Sequence, residues 1–424
     1  MERTTRAALV RQVVYAIERA MLPSPGGWGS EPEGCSQFSE AQPATLEASV
    51  HTGLITAVRP GIVPRTSYGP ETEYHHLPAT YLVFPGLVDP HVHLNEPGRT
   101  AWEGFETGTN AAASGGVTTL VDMPLNAIPP TTTLANLREK TRAAEGQCLV
   151  DVAFWGGVIP GNQVRTSGAP RQRRVKGFKC FLIESGVDEF PCVSAAELDK
   201  SMAILEDAKS LLMFHAELDS GTTTKDEDFD EGKGQGGNGD PNLYASFLSS
   251  RPPGWSWMRS SCAADALPMI REARRVHGLP LTTETCLHYL TLSTDEIPDG
   301  RAEYKCCPPI RTPGNREALW AGLAEGTIDF VVSDHSPCTP ELKEKGSLMD
   351  AWGGIGGLGL GLSLLWTEGA AEASHISMAI SSSGSANALQ PLLACTPARA
   401  PSLPVTSAIS ASLIPTLHSK FRPL

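Results

Sequence analysis

From residue 84 to about residue 369 short apolar, β-rich runs alternate with amphipathic helical windows, and this alternation narrows the fold more than any other feature. The runs are "FPGLVDPHVHL", "VTTLVDMPL", "LVDVAFWGGVI", "VKGFKCFLI", "LLMFHAEL", "LPLTTETCLHYL" and "IDFVVSDHSP". The windows between them include "TLANLREKTRAAE", "SAAELDKSMAILEDAKS", "DALPMIREARRVHG" and "NREALWAGLAEG". A helix between two strands returns the chain to the same end of the sheet, so such repeats pair their strands in parallel. The sheet is then either closed into a barrel or open and doubly wound. No Gly-rich phosphate loop supports the open form. Polar residues stand at the C-terminal ends of the runs (His91, His93, Lys179, His215 and Asp334), which is where a barrel builds its site. The expected fold class is α/β, a (β/α)8 TIM-type barrel.

The count is one short. Seven runs are present, and the helix "DALPMIREARRVHG" has no strand before it. The stretch "RPPGWSWMRSSCAAD" (251–265) occupies the place of a sixth strand, and a polar loop (221–241) precedes it. Upstream, "LEASVHTGLITAVRPG" (46–61) alternates around a turn and reads as a β-hairpin, while residues 21–45 read as a loop or insertion. Residues 370–424 are rich in Ala, Ser and Pro, hold no βα unit, and read as a disordered tail. Three segments are therefore expected. Residues 1–83 form a small β-sandwich portion, 84–369 the barrel, and 370–424 a divergent tail.

Composition removes several classes of function. Hydrophobic residues make up 41% of the 424, and none of the apolar runs reaches the length of a membrane span. A formal charge of −13 argues against nucleic-acid binding. The ten cysteines include no CxxC pair, which suits free thiols in a reducing compartment. The expected location is cytoplasmic, with peroxisome and mitochondrion as the other candidates. Arg3, Arg6, Arg11 and Arg19 stand among Glu2 and Glu18, which is unlike a transit peptide.

His91 and His93 are two residues apart in a strand, so their imidazoles share one face and can bind one divalent metal. His215 and Asp334 end other runs, and each could serve structure alone, as a hydrogen-bonded histidine or a helix cap. Lys179 lies inside an apolar strand, where a charged amine is costly. As a carbamate, formed with carbon dioxide, it would be an anion able to bridge two metals. Five such groups on strand ends aimed one way point to a metal centre.

The motifs "FPGLVDPHVHLNEPGRTAWEGFETGTNAAASGGVTTLVDMPLN", "GFKCFL", "FHAE", "ETCLHYL", "KCCPPIR" and "VVSDHSPCTPELK" resemble those of the cyclic amidohydrolases, the group of dihydroorotases, hydantoinases and allantoinases. The resemblance covers residues 46 to 369. Asn95 followed by "EPGR" is similar to the allantoinase pattern, whereas dihydroorotases carry Arg at that place. The resemblance implies opening of the hydantoin ring of (S)-allantoin to allantoate, in purine catabolism, with two zinc ions. It implies that His91, His93 and Asp334 hold one ion, that carboxylated Lys179 bridges both, and that His215 holds the second. Asp334 would shuttle the proton. Asn95 and the backbone at Cys307 and near Gly353 would contact the substrate. A homotetramer is implied as well.

The chain departs from that group in one place. Relatives carry a further metal-binding histidine on the sixth strand, but no histidine lies between His215 and His277 here. An unfilled strand position would leave two sheet edges, each buried unpaired group costing about 1–3 kcal/mol. Two alternatives stay open: a catalytically impaired or non-catalytic isoform on the same fold, and a ring amidohydrolase of the hydantoinase or dihydropyrimidinase type.

Overall fold

The computed structural model describes residues 12–20, 42–51, 55–83, 86–162, 175–207, 210–215, 263–344, 348–372 and 414–415. The polar loop (221–241), residues 251–262 of the sixth-strand position, and most of the loop at 21–45 and of the tail lie outside the described residues.

Strands β1 (Gln12–Ala20), β2 (Gln42–Ser49), β3 (Ile55–Pro60) and β4 (Thr72–Leu77) form one sheet in the order β3-β2-β1-β4. The expected hairpin is β2–β3, antiparallel with Leu46 opposite Val58. Ile17, Ala20, Ala44, Leu46 and Ala48 form its small core with Val83. Glu47 gathers the polar side: Arg59 Nε donates at 2.6 Å, Tyr68 Oη at 2.9 Å and Gln12 Nε2 at 3.0 Å. Strand β5 (Tyr81–Leu82) leads out of this layer.

The barrel follows as β6 (Leu87–Val92), α1 (Phe105–Ser114), β7 (Val117–Asp122), α2 (Leu134–Ala144), β8 (Asp151–Phe154), β9 (Gly156–Gly157), β10 (Phe178–Phe181), α3 (Ala195–Asp207) and β11 (Leu212–His215). After the break come α4 (Leu267–Arg275), β12 (Glu284–Cys286), α5 (Leu287–Thr291), α6 (Pro313–Ala324), β13 (Phe330–Val332), α7 (Pro340–Lys343) and α8 (Gly361–Glu372). Local signals start the helices. The Thr133 side chain caps α2 by accepting Asn136 N–H at 3.1 Å, and Ser194 exchanges hydrogen bonds with Glu197 at the start of α3. In α4, Leu267, Ile270 and Ala273 recur every three residues and are buried.

All the barrel pairings are parallel. β6, β7 and β8 form one ladder, and β9, β10 and β11 another. Trp155 alone separates β8 from β9, and its N–H donates to Asp122 O at 3.0 Å, so the wall runs on from β6 to β11. β12 pairs with β13. The ring shuts between β13 and β6, where His93 N–H donates to His335 O at 2.8 Å and Val92 bridges His335. Among the described residues the wall stays open between β11 and β12, where the sixth strand would stand. The described apolar core falls into several clusters. One cluster includes Leu94, Leu120 and Phe178 under the first five strands, and another includes Leu290, Trp320 and Phe330 under β12 and β13.

Two details differ from the sequence reading. The run "LPLTTETCLHYL" is strand only over Glu284–Cys286, because Leu287, Tyr289 and Leu290 turn inward as α5 and Leu290 O accepts the indole N–H of Trp320 at 3.0 Å. The tail, read as lacking strands, contributes β14 (Ile414–Pro415), antiparallel to β5.

Candidate metal centre

His91 in β6 and His93 just past its end reach the barrel mouth, 3% and 6% exposed. Asp334 follows β13 and comes to meet them. Its Oδ1 lies 3.3 Å from His91 Nε2 and 3.4 Å from His93 Nε2. Donor atoms bound tetrahedrally at about 2.0–2.1 Å from one cation are separated by about 3.3 Å. Geometry alone therefore suits an ion among the three, and these residues form a group whose donor atoms all lie within 4.8 Å of one another.

The far side of each ring is held as well. His91 Nδ1 meets Glu284 Oε1 at 2.7 Å. A carboxylate only accepts, so Nδ1 carries the proton and Nε2 is the atom turned to Asp334. In the neutral ring, lone pairs on Nε2 and on Asp334 Oδ1 face each other, which a cation between them satisfies; in the charged ring, Nε2–H pairs with Asp334 directly. The side-chain amide of Asn126 lies 3.2 Å from His93 Nδ1. Asp89 braces the base of the site, accepting His91 N–H and Ser333 N–H at 3.2 Å each. Burial pushes its carboxyl up to about 6, against those hydrogen bonds. Burial also acts to raise Asp334, but the charge of His91, and then His93 and His288, hold it well below the usual carboxylate range. Burial lowers His93 despite the pull of Asp334.

Among the described residues, three non-glycine residues have positive φ: Asn95 (64°), Asn126 (65°) and Asp334 (44°). All three line this mouth. Asn and Asp tolerate the left-handed region best, and its concentration here is a mark of a site where side-chain aim outranks backbone comfort. Next to Asp334, His335 is locked in place. Gly357 N–H donates to its Nδ1 at 3.1 Å, so its Nε2–H is directed at Glu103 Oε2, 2.8 Å away.

The remaining expected residues sit as follows. Lys179, in β10, is 1% exposed, and its Nζ has no hydrogen-bond partner among the described residues. Burial lowers its pKa, opposed by the charges of Glu284 and Asp334, which places its amine within reach of their field. A buried amine with nothing to donate to suits conversion to an uncrowded anion, and the donor chemistry around it fits a metal. His215 ends β11 opposite Phe181 and stacks on that ring at 4.6 Å, while Lys179 Nζ lies 5.3 Å from the same ring. It thus shares the Lys179 face but does not join His91, His93 and Asp334 in their converging group. The Asn95 Nδ2 donates to Pro337 O at 3.3 Å, and its buried Oδ1 meets no partner among the described residues. Cys307 and Gly353 are neighbours, for a Cβ on Gly353 would fall 2.7 Å from Cys307 Sγ.

Sequence reasoning missed Glu284, Asn126 and Asp89 as supports of the histidines. The alternation of Glu284 with Cys286 in "ETC" was the signal for an inward carboxylate. What hid it was distance, since 193 residues separate it from His91.

A parallel barrel whose mouth brings two imidazoles and a carboxylate together is that of a metal-dependent hydrolase. The chain belongs to the amidohydrolase family, whose profile matches residues 82–374. It is 46% identical over 356 residues to the allantoinase of Saccharomyces cerevisiae, a match covering 77% of this chain and 75% of that one. It is 49% identical over 307 residues to the mitochondrial allantoinase of Aquarana catesbeiana, covering 68% of this chain and 61% of that one. This chain thus spans less than two thirds of the second relative's length. Among solved structures, L-hydantoinase of Arthrobacter aurescens superposes with a TM-score of 0.73 at 24% identity, over 94% of this chain and 86% of that one, and shares the fold.

Proposed function

We propose that this chain hydrolyses the ring amide of (S)-allantoin to allantoate, as a step of purine catabolism. The observation that carries the reading is the 46% identity to an allantoinase over 356 residues. His91, His93 and Asp334, which supply the metal-competent group, lie within the matched family region. In the proposal His91, His93 and Asp334 would hold one zinc ion, and Lys179, as its carbamate, with His215 would hold another. Ions bound there would supply acidification of a water molecule and polarisation of the scissile carbonyl. The chain's own residues do the rest. Asp334, ionised because the imidazoles around it favour its charge, takes the proton of the attacking water. The C–N bond breaks, and Asp334 returns that proton to the departing ring nitrogen. Glu284 and Asn126 keep His91 and His93 aimed while this happens. The ring is uncharged and rich in both donors and acceptors. The unpartnered Oδ1 of Asn95 and the backbone at Cys307 and Gly353 suit such a ligand. The division into 1–83, 84–369 and 370–424, a homotetrameric assembly and a cytoplasmic location belong to the same reading. The described residues contain no helix long and apolar enough to cross a membrane.

The test is allantoate formation by the purified chain supplied with zinc and bicarbonate, beside a version carrying a β-strand with a histidine at the sixth position. Turnover in the chain as it stands is expected, with a native mass increased by one carbon dioxide at Lys179. Faster hydrolysis of hydantoin or dihydropyrimidines would replace the substrate. A second reading has one observation in its favour, the absence of any histidine between His215 and His277. Activity confined to the restored version would make this chain a catalytically impaired form.

A further inference from the structure

Lys343 ends the short helix α7 and has no part in the site described above. An ammonium has three protons to donate. Three backbone carbonyls accept from Lys343 Nζ: Gly354 O at 2.8 Å, Ala302 O at 3.1 Å and Lys305 O at 3.1 Å. None of them belongs to α7 (Pro340–Lys343), so the side chain does not cap its own helix. It ties two distant segments together instead. The same segments meet again where Gly354 N–H donates to Lys305 O at 2.9 Å. Lys305, 6% exposed, sends its own Nζ to Met349 O at 2.6 Å. Leu342, just before Lys343, accepts Trp352 N–H at 2.8 Å. Ser336 N–H donates to Ile355 O at 3.0 Å, so the 353–355 segment touches both Cys307 and the residues after Asp334. Burial draws the Lys343 pKa down, opposed by the charges of Cys338, Cys306 and Cys307, which puts the ammonium in the field of the Cys307 segment.

We propose that Lys343 is a positioning residue for the substrate: it staples the backbones at Cys307 and Gly353 side by side as one shelf, and so sets the affinity for a ring amide. The inference rests on the reading above, in which those two backbones contact the ring. Residues 305–307 and 352–354 lie outside any strand or helix, so no ladder fixes their spacing. A loop backbone held by few bonds can shift by an ångström, and a misplacement of that size costs up to about 100-fold. Charge-assisted hydrogen bonds are about twice as strong as neutral ones, which suits an ammonium to this work. Lys343 reaches all three carbonyls from behind the shelf and needs no contact with the ring itself. A lysine serving stability alone would leave the affinity of the folded protein for its substrate unchanged. A lysine that sets the spacing of two substrate-contacting backbones would not.

The experiment compares the full chain with its Lys343→Met and Lys343→Arg variants in allantoin hydrolysis, zinc content and urea unfolding. Lys343→Met keeps most of the stem and removes the three donors. The expected result is a KM for allantoin raised by at least about 10-fold, with kcat within about 3-fold and zinc content unchanged. Lys343→Arg keeps the charge and the donors, and its KM should stand nearer to wild type than to Lys343→Met. A Lys343→Met protein that unfolds more easily but keeps its KM overturns the proposal. An equal rise in KM for both variants does so too, because charge and donors would then not be what matters. If Lys343→Met does not fold, Lys305→Met takes its place, since it cuts the neighbouring tie to Met349 O. The same rise in KM is expected there, and an unchanged KM overturns the proposal. The two readings separate. Allantoate formation with unaltered KM in the variants sinks only the shelf. A wild type that binds allantoin without forming allantoate sinks only the reaction, and the Kd from calorimetry then replaces KM with the same 10-fold rise expected in Lys343→Met.

Discussion

Glu284 accepts a hydrogen bond from His91 at 2.7 Å and is fully buried. Its role is orientation, since it selects the His91 tautomer and turns Nε2 toward Asp334. Outer partners of metal-binding histidines typically matter by about 10–100-fold in metal affinity. We expect Glu284→Gln, which keeps an acceptor but loses the charge, to weaken zinc binding by about 10-fold in chelator competition, and Glu284→Leu by about 100-fold. Equal affinity in all three proteins would remove Glu284 from the site. Asp334→Asn should behave differently. It keeps the size and the left-handed backbone but cannot take a proton, so kcat should fall by about 10²–10⁴-fold at saturating zinc. A fall repaired simply by adding zinc would mean that Asp334 serves binding alone.

At the level of elements, β7 and α2 are tied by a charged pair inside the protein. Lys140, from α2, pairs with Asp122 at the end of β7, and both are 0% exposed. Lys140 Nζ also donates to Met123 O at 2.7 Å, and Asp122 Oδ1 accepts Leu94 N–H at 2.7 Å. The pair therefore holds the loop just after the two histidines. Removing one partner of a buried pair strands the other charge, so Lys140→Met should cost about 3–5 kcal/mol in urea unfolding. A loss below about 1 kcal/mol would mean that Asp122 is already neutral or hydrated. The N-terminal sheet makes a pH-dependent claim. Arg59 first, and then Tyr68 and Gln12, hold the Glu47 carboxyl below its ordinary range against burial. A depressed folded value stabilises the protein above the unfolded value, about 4.3, and that contribution is lost as pH falls through the depressed value. The stability gap between wild type and Glu47→Gln should therefore be full near neutrality and shrink in acid. A gap independent of pH would show that Glu47 acts through shape.

Across the whole molecule, the barrel wall has one seam among the described residues, between β11 and β12. Strand β7 is paired on both sides, whereas β11 and β12 have a described partner on one side only. Native-state hydrogen exchange should find β7 amides slowest and the seam-facing amides of β11 and β12 faster. Equal protection would show that residues outside the described set close the wall. The seam was legible in the sequence, since "DALPMIREARRVHG" had no run before it. So were the strand runs and the helices α2, α3, α4 and α6, because a strand's two-residue period and a helix's apolar stripe are local properties of the chain. Strand β1 and β14 were not legible. Each depends on a distant partner, β4 lying 52 or more residues beyond β1 and β14 pairing with β5. The sequence by itself determined the parallel barrel and the polar strand ends, because alternation and handed connections leave little choice of topology. Only the tertiary structure decided which strand ends converge. It brought Asp334 to His91 and His93 and put Glu284 behind His91. Those contacts join residues far apart in the chain and follow from barrel closure, which no local pattern encodes.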